Sequence, residues 1–263
     1  MASAPEAPAA TDRVPQLPTR DRAVIWFGLL ALSALAWLYL ARMPMAAGDF
    51  GPVGARMLAA LPAATADASI TFMMWAVMMV AMMIPSAGPT IATYAAIARP
   101  RPGFRAVHVW MLVGGYVAAW TAFSAVATVL QIALQRGAVL SGAATATPFA
   151  GAAILAAAGL YQFTPLKDSC LSGCQSPIGF FMTHWRTGAI GALRMGARHG
   201  LICIGCCSML MALLFVAGVM NLTWVALISV LVLLEKATPW GRTIARVAGV
   251  AMLAAAPVVA LMR

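Results

Sequence analysis

Long apolar segments constrain the fold of this 263-residue chain more than any other feature. Seven of them approach the ~20 apolar residues that an α-helix needs to cross a bilayer. They lie at residues 23–41, 70–97, 106–134, 149–164, 200–220, 222–235 and 244–262. Charged residues make up only 9% of the chain, far below the ~25% of a soluble domain. The sequence therefore predicts an all-α, polytopic helical membrane protein with about seven transmembrane helices, although the segments at 149–164 and 222–235 are short enough to be half-spans.

The distribution of basic residues indicates the orientation of these helices. The 17 Lys and Arg outnumber the seven acidic residues, and they occur singly or in small groups between the apolar segments. This pattern differs from the basic face, interleaved with aromatic residues, of a nucleic-acid-binding protein. Most of the basic residues fall on one side of the membrane if the N-terminus is cytoplasmic. The positive-inside rule therefore predicts a cytoplasmic N-terminus.

The remaining composition limits domain organisation and function. Residues 1–21, which are rich in Pro and Ala, predict a disordered cytoplasmic tail, and residues 22–263 predict a single transmembrane domain. No Walker A, dinucleotide-binding, H-E-x-x-H or G-x-S-x-G pattern occurs, and carboxylates within the apolar segments are few. We therefore expect neither nucleotide nor nucleic-acid binding, and we consider an enzyme less well supported than a ligand-handling protein.

Five clustered cysteines are the main candidates for chemistry. Cys170-x3-Cys174 lies in a polar connection, and Cys203-x2-Cys206-Cys207 begins about one turn inside the fifth apolar segment. On a helix the latter three thiols can point to one side. Disulfides are not expected because the cysteines fall on the predicted cytoplasmic side, where thiols stay reduced. The alternatives are small buried apolar residues or a site for a soft ion such as Cu(I), with Cys203 and Cys207 as the strongest ligands.

The polar connection at residues 164–197 has two alternative locations. It holds the first cysteine pair and a short amphipathic stretch around Phe180 to Trp185. A segment of this kind can lie on the membrane surface or fold back into the protein.

A methionine-rich segment is the second unusual feature. Six of the 18 methionines lie between residues 73 and 83. Met74, Met78 and Met82 form an i, i+4 stripe, and Met73 lies off this face. Such a stripe can be ordinary packing, but neutral thioethers also ligate Cu(I) without burying a charge. Pro85 is expected to free a backbone carbonyl in this helix.

Few ionisable residues accompany these sulfur ligands. Glu235 and Lys236 end the sixth apolar segment, where they either pair with neighbours or extend to the interface, and we expect the second. Lys167 either stabilises a thiolate at Cys170 or is an ordinary lysine of the positive-inside pattern. His199, at the start of the fifth apolar segment, is a further candidate metal ligand.

Five motifs in fixed order resemble those of one bacterial family. They are Trp75-x2-Met78-x2-Ala81-Met82-Met83-x-Pro85, Thr164-Pro165-Leu166-Lys167-x2-Cys170-Leu171-x2-Cys174-x2-Pro177, Gly200-x2-Cys203-x-Gly205-Cys206-Cys207, Gly218-Val219-Met220-Asn221 and Glu235-Lys236. Together they span residues 70–237. They are similar to those of predicted metal-binding integral membrane proteins, a domain of unknown function described as copper-chaperone-like.

The resemblance implies a multi-pass protein of the bacterial inner membrane that binds a metal. Two positions depart from the family pattern: Gln175 stands where the family has Arg, and Ser208 stands where it has Trp. Neither change removes a proposed ligand. Because Gln175 is uncharged, Cys170 and Cys174 lack a nearby positive charge that the family pattern would supply.

Three hypotheses for function follow. The first is a non-enzymatic Cu(I)-handling protein, with Zn(II) as the alternative ion, that transfers, delivers or transports copper and meets a metallochaperone or cuproprotein partner. The second is a membrane thiol-disulfide oxidoreductase in which Cys203 and Cys206 form a redox pair and Cys170 or Cys174 exchanges with it. The third is a membrane scaffold subunit of a larger complex, with Ala- and Gly-rich helix faces as its interface.

Overall fold

The fold is a bundle of helices. A computed structural model describes residues 18–42, 63–140, 146–219 and 221–261, so most of the predicted N-terminal tail lies outside the described residues. Apart from one isolated bridge between Leu140 and Ala146, the regular elements in these ranges are helical. They are α1 (Thr19–Arg42), α2 (Ala63–Ala98), α3 (Val107–Arg136), α4 (Pro148–Tyr161), α5 (Pro165–Gln175), α6 (Pro177–His184), α7 (Gly188–Ala212), α8 (Leu214–Ala217), α9 (Leu222–Ala237) and α10 (Gly241–Leu261).

The predicted all-α, polytopic class is confirmed. Five stretches of the described chain are long and apolar enough to cross a membrane, at Thr19–Arg42, Asp67–Ala98, Val107–Arg136, Gly188–Ala217 and Gly241–Leu261. A sixth is obtained if α4 and α5, between which the chain bends by 66°, together form one broken span. The predicted count of seven is therefore approximate: the segment at 149–164 turns sharply after α4, and α9 has only 16 residues.

Helices α3 and α7 run parallel and pack together at glycines. A Cβ on Gly196 of α7 would collide with the carbonyl oxygen of Leu112, and a Cβ on Gly115 of α3 would collide with that of Leu193. A Cβ on Gly200, one turn further along α7, would lie 2.7 Å from the Cβ of Ala119. Small residues let two helix backbones approach closely inside a membrane. This approach brings the middle of α3 against the cysteine-bearing part of α7.

Helix α2 continues through Pro85, and the freed carbonyl has a partner. Pro85 has no N–H to donate to the carbonyl of Ala81, four residues earlier. The hydroxyl of Ser33 on α1 donates to this oxygen over 3.0 Å. The prediction that Pro85 leaves a carbonyl without its partner in the helix is thus confirmed. This carbonyl instead forms a hydrogen bond that joins α1 to α2.

The connection at residues 164–197 is helical and folds back into the bundle. It forms α5, α6 and the start of α7, which begins at Gly188 rather than near residue 200. Arg194 and Arg198 lowered the apolarity of this stretch, but both are exposed while Met195 and His199 are buried. The expectation that Cys203 lies one turn inside its helix is therefore wrong, since about four turns precede it.

Candidate metal centre

Three cysteines from two helices form a buried cluster. The sulfur atoms of Cys174 on α5 and of Cys203 and Cys206 on α7 all lie within 4.8 Å of one another. The Sγ atoms of Cys174 and Cys206 are 3.7 Å apart, and all three side chains are buried. Cys203 and Cys206 share a face of α7 because three residues span slightly less than one helical turn. The cluster is complete only because α5 folds against α7.

Interactions at both ends of α5 hold Cys174 in this position. At the start, the hydroxyl of Thr164 caps the helix by accepting from the backbone N–H of Lys167 over 3.2 Å, and Pro165 occupies the first turn. At the end, the side-chain amide of Gln175 donates to the carbonyls of Glu235 and Thr238 over 2.7 and 3.1 Å. Gln175, one of the two residues that depart from the family pattern, therefore attaches α5 to the end of α9.

The other two cysteines lie beside the cluster. Cys207 is fully buried, and its Sγ is 3.2 Å from that of Cys206. Cys170 is half-buried against α7, where a Cβ on Gly205 would lie only 2.6 Å from its sulfur. Neither belongs to the group of three sulfurs within 4.8 Å. The structure therefore gathers the predicted ligands, but with Cys174 in the central group and Cys207 next to it.

A buried lysine contacts the cluster directly. The Nζ of Lys236 donates to the Sγ of Cys203 over 2.7 Å and to the hydroxyl of Ser86 over 3.2 Å. Our expectation that Lys236 extends to the interface is wrong. Helix α9 ends beside the middle of α2 and α7, so the side chain is only 9% exposed. In the described part of the chain, no carboxylate forms an ion pair with it.

A buried ion pair lies next to the same centre. The Nζ of Lys167 is 2.6 Å from Oε2 of Glu235 and donates to the carbonyl oxygen of Cys206 over 2.8 Å. Gln162 donates to the second carboxylate oxygen over 3.4 Å. Both charged side chains are inaccessible, so the expectation that Glu235 reaches the interface is wrong as well. The direct partners of Lys167 are Glu235 and a backbone carbonyl, and the pair carries no net charge.

His199 is buried one turn before Cys203. Its ring stacks on Tyr116 with centroids 5.7 Å apart and meets Phe180 edge to face at 5.3 Å. Among the described residues its Nδ1 has no hydrogen-bond partner. Its nitrogens do not belong to the group of ligand atoms within 4.8 Å, so His199 lies close to the cluster without joining it.

The methionine stripe is buried along α2. Met74, Met78 and Met82 are all buried, whereas Met73 is 47% exposed, as its position off the stripe predicts. Near its inner end, the carbonyl of Met83 accepts from the hydroxyl of Tyr116 over 3.3 Å. That hydroxyl is also 3.0 Å from the Sγ of Cys203. One tyrosine on α3 therefore joins the methionine helix to the cysteine cluster.

Tyr116 and Ser86 are site residues that sequence reasoning missed. Tyr116 lies in an apolar segment without a motif, and Ser86 lies one residue beyond the motif that ends at Pro85, so only the packing of α2, α3 and α7 brings them to the cluster. Lys236 carried a detectable signal, since it is a charged residue at the end of an apolar segment.

Comparisons with known proteins agree with a metal-handling centre. A family model named PpoB2 and described as a copper chaperone matches residues 72–259. This range covers more than half of the chain and includes all five cysteines. No curated protein and no solved structure matches the chain.

Proposed function

Because this chain belongs to the PpoB2 copper chaperone family, we propose that it binds Cu(I) within a membrane and passes it to a cuproprotein. The observation that carries this proposal is the cluster of Cys174, Cys203 and Cys206, three buried sulfurs within 4.8 Å. Thiolates are soft ligands that select Cu(I) over hard cations, and Cu(I) accepts sites with few ligands. A structural Zn(II) site would be closed by a fourth ligand.

The charges around the cluster favour a monovalent ion. Burying a net charge is costly, so a buried centre is most stable when its charges cancel. With two of the three cysteines as thiolates and the third as a neutral thiol, a centre that holds Cu(I) carries one negative charge, which the ammonium of Lys236 offsets at 2.7 Å. A divalent ion with the same two thiolates and Lys236 would leave one positive charge. The ion pair of Lys167 and Glu235 adds nothing to either sum.

The methionines of α2 supply a second set of soft ligands for the same cargo. Met78 and Met82 are buried in α2, shortly before Met83. The hydroxyl of Tyr116 donates to the carbonyl of Met83 and also lies next to the Sγ of Cys203. We infer that these thioethers accept or pass on Cu(I) at one end of a route and that the cysteines hold it at the other. The resemblance to a bacterial family favours the inner membrane, and the positive-inside pattern favours an orientation with the cysteines toward the cytoplasm.

Serine variants test the ligand set. Purified protein under reducing conditions is titrated with Cu(I) against a chromogenic Cu(I) chelator. Cys174→Ser, Cys203→Ser and Cys206→Ser should each weaken binding by more than about 100-fold, since loss of an outer-shell partner alone costs about 10–100-fold. Cys170→Ser, at the edge of the centre, is the matched control and should bind nearly as well as the parent. Parent-like affinity in all three cluster variants would refute the site.

The thiol-disulfide alternative has one contact in its favour. The sulfurs of Cys174 and Cys206, on different helices, lie 3.7 Å apart, which is close enough for a thiol exchange between the two helices. Counting thiols before and after reduction separates the two functions. A copper-handling centre should show five free thiols in the purified protein, one for each cysteine. A pair that appears only after reduction would favour the oxidoreductase.

A further inference from the structure

We propose that soft ligands on one face of α7 form a track from a basic pocket to the cysteine centre, and that His199 is a transient Cu(I) ligand on it. The inference rests on the proposed function and identifies how the ion reaches or leaves the cluster. The track consists of Met195, His199 and Cys203.

The spacing of these residues produces a continuous row. Each is four residues from the next, which places them on one helix face with about 6 Å of rise per step. All three side chains are buried, with exposed fractions of 1%, 5% and 0%. Their neighbours Arg194 and Arg198 point to the exposed side of α7. A thioether, an imidazole and a thiol, all ligands for Cu(I), therefore follow one another along the protein interior.

The unpaired nitrogen of His199 indicates a ligand. Buried polar atoms in proteins almost always have a hydrogen-bond partner, yet Nδ1 of this residue has none in the described structure. The ring is fixed between Tyr116 and Phe180, so this nitrogen cannot reach solvent by a small rotation. An imidazole held rigidly in this way can bind a soft cation with little loss of side-chain entropy.

The imidazole is adjacent to the cluster through a shared neighbour. The ring of Tyr116 stacks on His199, and the hydroxyl of the same tyrosine lies 3.0 Å from the Sγ of Cys203. The side chain of His199 thus lies against the same tyrosine that contacts the first cysteine of the centre.

The other end of the track opens into a pocket. This pocket has a volume of about 320 Å³ and is lined by Met195 and His184 together with Arg186, Arg194 and Arg198. The Nδ1 of His184 lies 2.7 Å from the hydroxyl of Thr183 and 3.1 Å from the carbonyl oxygen of Phe180. Candidate ligands therefore occur at three places: Met195 in the pocket wall, His199 midway along α7 and Cys203 in the cysteine cluster. The arginines favour a donor that presents Cu(I) as an anionic complex.

Transfer kinetics test the track. Full-length protein in detergent is mixed with a Cu(I)-loaded anionic chromogenic chelator, and both the rate and the equilibrium extent of transfer are measured. His199→Leu should slow loading by at least about tenfold, the effect of removing one ligand from the transfer barrier. The equilibrium affinity should stay within about threefold of the parent value, because the cysteines are intact. His108→Leu, at a histidine outside the track near the start of α3, should load at the parent rate.

A second variant separates a ligand from a packing residue. His199→Met restores a soft ligand in a side chain of similar size to Leu, so it should recover most of the loading rate. Equal rates for the parent, His199→Leu and His199→Met would overturn the track while leaving the cysteine site intact. A parent protein that takes up no Cu(I) at all would instead overturn the proposed function, and the track with it.

Discussion

At the scale of single residues, Lys236 places a positive charge beside the cysteine cluster. Its ammonium group donates to Cys203 in a position that is largely shielded from solvent. Electrostatic interactions are strong in such surroundings because the local dielectric is low. If the cluster holds an ion as proposed, this fixed positive charge should contribute to the choice of ion as well as to its affinity.

We predict that Lys236→Met changes the metal preference. Without the ammonium, two thiolates are neutralised by a divalent ion and are left with a negative charge by Cu(I). Loss of a buried charge partner costs about 2–5 kcal/mol, so Cu(I) affinity should fall by at least about tenfold relative to Zn(II) affinity. Paired competition titrations with both ions measure this ratio. Lys236→Arg keeps the charge and should retain the parent preference, and an unchanged ratio in the Met variant would contradict the role of the charge.

The ion pair of Lys167 and Glu235 should matter for stability. Removing one partner of a buried pair leaves an uncompensated charge and costs about 3–5 kcal/mol. We therefore expect Glu235→Leu to lower the free energy of unfolding by that amount. The double variant Lys167→Met/Glu235→Leu should recover much of the loss because no buried charge remains. Equilibrium unfolding in detergent, followed by circular dichroism, measures both. A single variant as stable as the parent would show that water or another group compensates Lys167.

At the scale of elements, α2 tests whether a methionine stripe is packing or a route for the ion. Met78→Leu with Met82→Leu conserves volume and should cost less than about 1.5 kcal/mol in stability. We predict normal expression with reduced copper accumulation or tolerance in cells. Met252→Leu, at a buried methionine of α10, is the matched control. Unchanged copper handling in the double variant would assign the stripe to packing alone.

The same elements show what the sequence could and could not predict. Helical spacing placed Cys203 and Cys206 on one face of α7, and it correctly put Met73 outside the stripe. The inclusion of Cys174 could not be predicted from spacing, because it depends on how α5 folds back and on the contacts of Gln175 with the end of α9. The start of α7 was placed too late because hydropathy counts Arg194 and Arg198 equally, whichever side of the helix they occupy.

At the scale of the whole molecule, packing constrains the topology independently of charge. Helices α3 and α7 are parallel, since Leu112 meets Gly196 and Ala119 meets Gly200. Both must therefore begin on the same side of the membrane. The arginines near their starts predict that this side is cytoplasmic.

Reporter fusions test this arrangement. Alkaline phosphatase, which is active only outside the cytoplasm, should be inactive when fused after residue 103 or residue 187. It should be active after residue 138 or residue 219, where α3 and α7 have reached the other side. Strong activity at a fusion near residue 175 would place the cysteines in the oxidising compartment and restore a disulfide role.

Helix α5 turns by 66° from α4 and folds back against α7, so an ion bound as proposed by the cysteine cluster would link α5 to α7. An ion held by Cys174 and Cys203 would join two segments that are far apart in the chain, so loading would stabilise the folded protein by mass action. Unloading would release α5 to open locally, which amide hydrogen exchange detects. Copper occupancy would then determine the local stability of α5: this helix would stay packed against α7 in the loaded protein and would open more often in the empty one.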